Sequence, residues 1–175
     1  MSRLTIQNRP PLHIGKLADH SSLNRNLIAA FEREQGGPHS RQSHFEWGRF
    51  ENSYIARSAI PEIEPLIAAA EQAAHTILQR EDLRLGFWFN AMAPGQRTAR
   101  HNHEEDDELL SCVYYLDTAK DCGDLLVHHA GGTERITPEE GRFVFFSPKL
   151  AHEVEENRSP KRRLSVAFNF GPANG

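Results

Sequence analysis

The chain has little cysteine, no excess of basic charge and no long apolar run, and each absence removes a class of function. Two cysteines in 175 residues, Cys112 and Cys122, allow neither a disulfide scaffold nor a four-cysteine zinc site. Twenty Lys and Arg residues against 24 Asp and Glu give a net charge of −4, the wrong sign for a generic nucleic-acid binder. No stretch approaches about 18 consecutive apolar residues, so no membrane span is expected. The opening MSRLTIQNRPPLHIGK lacks the apolar core of a signal peptide. With few cysteines, this points to a reducing, cytoplasmic setting. There the triplet Asn157-Arg158-Ser159 has no meaning as a glycan acceptor. Repeats and low-complexity segments are also lacking, and the length suits one domain with a real core.

What is present divides into two halves. Ser21 or Ser22 is placed to cap a helix through Leu23, Leu27, Ala30 and Phe31, stopped by Gly36-Gly37. A second helix is expected from Pro61, with Ile63, Ile67, Ala70, Ala74, Ile77 and Leu78 as its apolar stripe. Phe45 to Phe50 reads as a strand between them. From residue 83 the period becomes two. Leu83, Leu85, Phe87 and Phe89 alternate with Arg84, Gly86, Trp88 and Asn90. Leu109–Leu116, Leu125–His128, Arg142–Phe146 and Arg163–Phe170 follow as strands, so a mainly β domain with helices on one side is expected. On the last strand Leu164, Val166, Phe168 and Phe170 face the helices, while Arg163 and Ser165 face inward. An inward arginine needs an anion there, because an unpaired buried charge is costly.

The chain carries ten histidines, and three have ligand-like spacing. His101 and His103 flank Asn102, so in an extended chain both rings lie on one side. His152 follows about fifty residues later. Three imidazoles suit Fe, Zn, Cu or Ni. The acidic run Glu104-Glu105-Asp106-Asp107-Glu108 beside them reads either as a solvated turn or as the source of a metal carboxylate.

Several motifs in order resemble the Fe(II)/2-oxoglutarate-dependent oxygenases, most closely the small bacterial ones related to prolyl hydroxylases. They are Pro94-Gly95, Arg100-His101-Asn102-His103, Leu110–Leu116, Gly123-Asp124-Leu125, Gly141–Pro148, His152-Glu153-Val154 and Arg163-Leu164-Ser165. The resemblance covers roughly residues 85 to 171. It implies a double-stranded β-helix (jelly roll, a cupin-like barrel), with residues 83–171 as the metal-binding core and 1–82 as a supporting region. It implies Fe(II) and 2-oxoglutarate as cofactors and a small-molecule or peptide substrate, with no nucleic-acid or membrane partner; a homodimer stays open. His101 and His152 match two metal ligands. Arg163 and Ser165 match the pair that holds the far carboxylate of 2-oxoglutarate, and a planar guanidinium fork suits that task. Asn90, inward on the strand before the histidines, is the further polar candidate for cofactor contact, whereas Trp88 and Tyr115 read as packing.

One position departs from the family. His103 stands where a carboxylate is usual, so the third ligand is His103, Glu105 or Glu108. The last choice leads to the second family that this stretch resembles, the cupins, whose first motif joins two of its histidines to a glutamate and which do not use 2-oxoglutarate. Tyr115, where that motif expects glycine, and Leu150 before His152 break the cupin pattern. His101, His103 and His152 serve both readings.

Overall fold

The computed structural model describes residues 4–103 and 107–173. A hairpin opens the chain: β1 (Leu4–Arg9) and β2 (Leu12–Leu17). Then come α1 (His20–Glu34), β3 (Ser40–Glu46), β4 (Arg49–Ile55) and, after two short 3-10 turns, α2 (Glu64–Leu78). Eight strands follow: β5 (Leu83–Met92), β6 (Thr98–His101), β7 (Leu110–Asp117), β8 (Leu125–His129), β9 (Gly132–Ile136), β10 (Arg142–Phe146), β11 (His152–Val154) and β12 (Arg163–Pro172). Two antiparallel sheets result, in the orders β1-β2-β10-β7-β12-β5-β4-β3 and β6-β11-β8-β9. This is the mainly β, double-stranded β-helix architecture expected, with helices against one sheet.

The alternation read from β5 and β12 explains the layering. Phe89, Leu164, Val166, Phe168 and Phe170 are buried against Leu27, Ala30 and Phe31 of α1 and Ile67, Ala70 and Ala74 of α2. Burying side chains of this size contributes about 1.5–3 kcal/mol each, so this layer is the main stabilising core. Asn24 pins α1 to β7 from within it, donating to the Leu116 carbonyl (2.8 Å) and accepting from the Tyr114 hydroxyl (2.7 Å). The opposite face of the larger sheet meets the smaller one through Leu12, Tyr115, Leu125, Val127, Val144 and Phe146. Between the two sheets lies the site.

Three local expectations need correction. The first helix starts at His20 rather than at a serine cap, behind Asp19 in the left-handed region with no side-chain cap bond. The apolar pair Leu4 and Ile6 faces a short hairpin, too brief to show a period, so strands stand where helix was expected. Phe45 and Phe50 do not share a strand. They face each other across a hairpin whose two-residue loop is Trp47-Gly48, with φ of 53° and 75°. Two positive φ values in succession mark the turn type that matches strand twist, and Gly48 is the signal that went unread.

Asn157 of the acceptor-like triplet is fully buried. Its amide donates to the carbonyls of Met92 and Lys161 (2.9 Å each), bracing the loop that delivers Arg163. Among the described residues no helix is long and apolar enough to cross a membrane.

Candidate active site

Strand pairing creates the histidine cluster. β6 and β11 run antiparallel with His101 opposite His152, so residues about fifty apart become neighbours. Two residues on, the His103 backbone N–H donates to the Pro148 carbonyl at 2.9 Å, which turns the chain back toward β11. Ring centroids are 4.3 Å apart for His101 and His152, 5.4 Å for His101 and His103, and 5.6 Å for His103 and His152. One ligand atom from each ring lies within 4.8 Å of the other two. The Nδ1 atoms of His101 and His152 sit 2.9 Å from the carbonyls of Ala99 and Leu150. A carbonyl is only an acceptor, so Nδ1 carries the proton and Nε2 keeps its lone pair for a metal. His152 is buried, and burial first, then the neighbouring His101, pulls its pKa down to about 3. It is therefore neutral, the form that ligates, throughout the physiological range.

The cluster opens into a cavity of about 660 Å³ that reaches Arg163 at its other end. Arg163 is 2% exposed and makes no ion pair among the described residues. Its Nη1 donates to the Gly123 carbonyl (3.1 Å) and lies 3.8 Å from the Met92 sulfur, while its Nε has no partner. Beside it, Asn90, Ser165 and Tyr115 are register partners across β5, β12 and β7, so three polar side chains form one row. The fully buried Tyr115 hydroxyl has no partner either, lies under Arg163 (5.1 Å from ring centroid to guanidinium carbon), and is pushed up to about 12 by burial. Two orphan buried groups and an uncompensated cation are what a missing anion leaves behind.

Asn90 lines the cavity and accepts from Arg49 Nη1 at 3.3 Å. Arg49 also donates to Thr98 Oγ1 (3.0 Å) and the Arg97 carbonyl (3.3 Å), and pairs with Glu51 at 3.4 Å. This buried set ties the β3–β4 hairpin to the start of β6, three residues before His101. Burial, partly countered by Arg49, holds the Glu51 carboxyl above the usual carboxylate range. Sequence reasoning missed Arg49, Glu51 and the free hydroxyl of Tyr115. Trp88, read as packing, lines the cavity wall. Glu108 also lines the cavity, but the gathered donor atoms are the three imidazoles; Glu105 lies outside the described residues. His128 is engaged elsewhere, between Thr133 (2.9 Å) and Glu153 (2.8 Å).

Residues 87–171 match the model of the 2OG-Fe(II) oxygenase superfamily. This is a 2OG-Fe(II) oxygenase domain. The cofactors of that class are Fe(II) and 2-oxoglutarate, and the oxygenase domain spans every element from β5 to β12 that frames the cavity. Solved structures agree on the fold. A Pseudomonas putida prolyl-4-hydroxylase is 22% identical, with 93% of this chain and 88% of that one covered at a TM-score of 0.68. EvdO2 from Micromonospora carbonacea var. aurantiaca, solved with 2-oxoglutarate, is 18% identical over 99% and 94% at 0.72. The α-ketoglutarate-dependent epimerase SnoN of nogalamycin biosynthesis is 14% identical over 87% and 73% at 0.70. No curated protein matches this chain in sequence.

Proposed function

We propose that the protein hydroxylates a small-molecule or peptidyl substrate, using Fe(II) held by His101, His103 and His152, with 2-oxoglutarate consumed to succinate and carbon dioxide. The observation that carries this reading is one cavity with three imidazoles at one end and an acid-free buried guanidinium at the other.

The donor set fits the metal. Three neutral nitrogens suit a divalent first-row ion, and the carbonyl-held Nδ1 protons orient two of them in advance. The far end fits a carboxylate. Arg163 supplies the charge and the fork, Ser165 a hydroxyl from the next inward position, Tyr115 its unpaired hydroxyl, and Asn90 its amide. The bound iron and 2-oxoglutarate supply the oxidising power. The protein's residues orient the ligands, neutralise their charge and keep water out. A neutral triad leaves the metal one positive charge richer than the usual two-histidine, one-carboxylate site, so a dianionic co-ligand contributes more to charge balance here. Residues 1–82, which add β1–β4 and both helices, act as support for the 83–171 core.

The test is anaerobic loading with Fe(II) followed by 2-oxoglutarate. A visible charge-transfer band that needs both, and succinate on admitting oxygen, are expected. Metal binding that is indifferent to 2-oxoglutarate would refute the reading and favour a cupin-type protein.

A further inference from the structure

Resting on that reading, we infer that Asn169, held by Ser111, is the substrate-recognition group of this cavity, and that it takes a neutral amide carbonyl. The inward face of β5, β12 and β7 is a ladder of rows. Asn90, Ser165 and Tyr115 form the row beside Arg163. Trp88, Ala167 and Val113 form the next, and Gly86, Asn169 and Ser111 the one after. Four residues separate the first and last rows, about 14 Å at strand rise. The first row belongs to the cofactor bay, so the last is at the substrate end.

A second contact puts this last row at the level of the histidines. Phe146 on β10 is the register partner of Ser111, and its ring lies 4.8 Å from that of His152. Anything bound at the three imidazoles and extending across to the larger sheet meets Asn169 and Ser111. Both line the cavity and both are buried, at 8% and 4% exposure.

The pair has a defined polarity. Ser111 Oγ donates to Asn169 Oδ1 at 2.9 Å, which leaves the Asn169 amide nitrogen, unpartnered among the described residues, as the group offered to a ligand. An amide N–H₂ needs an acceptor oxygen. Neither side chain is charged, so a neutral carbonyl matches better than an ion that must be desolvated. The middle row, with Trp88 at its edge, suits an apolar side chain, and together these describe an N-acyl amino-acid amide or a peptide. Gly86 makes room: a Cβ there would meet no atom within 4 Å. The fold therefore tolerates a side chain at this position, and one would take space from the ligand.

The experiment is calorimetric titration of the anaerobic protein, loaded with Fe(II) and 2-oxoglutarate, with N-acetyl-L-amino-acid amides, one for each standard residue type. At least one is expected to bind the wild type. Asn169→Leu and, independently, Gly86→Val should each weaken that probe at least about tenfold while 2-oxoglutarate affinity stays within about twofold. The inference is overturned if no probe binds the wild type, or if both variants bind it as the wild type does. Should 2-oxoglutarate fail to bind the wild type, the cofactor reading falls; the same probes titrated into the metal-free protein then decide the Asn169 subsite by the same limits.

Discussion

Replacing Arg163 with methionine separates a functional buried cation from a structural one. Methionine keeps much of the aliphatic volume and removes the charge. In a structural ion pair, losing one partner strands the other and costs roughly 3–5 kcal/mol. Arg163 has no acidic partner among the described residues, so nothing charged is stranded; the loss is the Gly123 carbonyl bond at 3.1 Å, about 1–3 kcal/mol. Removing an uncompensated charge that is only 2% exposed works in the opposite direction by a similar amount. The apo protein should therefore keep its stability to within about 1 kcal/mol by urea denaturation. The cofactor should not be so tolerant. Two charge-assisted bonds to a carboxylate are worth roughly 3 kcal/mol or more, at least about a hundredfold in Kd. Calorimetry of 2-oxoglutarate binding to the anaerobic Fe(II) protein reads this directly. A variant that unfolds easily yet binds 2-oxoglutarate normally would refute the reasoning.

Three further outcomes are expected. In the metal-free protein, His152 titrates near 3 when folded and near its ordinary 6.5 when unfolded, so the unfolded chain binds the extra proton between those values. Stability is complete above 6.5 and falls as pH drops from 6.5 toward 3, measurable as a declining urea midpoint, and bound metal should flatten the decline. His103→Asp restores a carboxylate to the cluster and should tighten Fe(II) binding in the absence of 2-oxoglutarate by about tenfold or more; unchanged affinity would count against His103 as a ligand. Gly123→Ala should cost at least about 2 kcal/mol and weaken 2-oxoglutarate binding too. Gly123 has φ 95°, and a Cβ there would lie 2.3 Å from the Glu155 carbonyl oxygen, so the backbone that offers its carbonyl to Arg163 would have to move.

Much of the fold was legible before any coordinates, because strands such as β5 and β12 are long enough for a two-residue period to repeat. Hydrophobic alternation is a direct image of a sheet with one face on a core, so the inward position of Arg163, Ser165 and Asn90 could be read off a single strand. The three histidines were legible as candidates because HxH spacing and a family-like order point to them. The hairpins β1–β2 and β3–β4 were not, since their strands are short and half exposed and their pattern is too weak to count.

The sequence by itself determined which residues face inward and which chemistry they carry, since side-chain direction along a strand is local. Only the tertiary structure decided what meets what. The pairing of His101 with His152, the row of Asn90, Ser165 and Tyr115, the orphan hydroxyl of Tyr115 and the grip of Arg49 on Asn90 depend on strand register between segments far apart in the chain. Register is set by packing and backbone hydrogen bonding across the whole sheet, and no stretch of the chain encodes it alone.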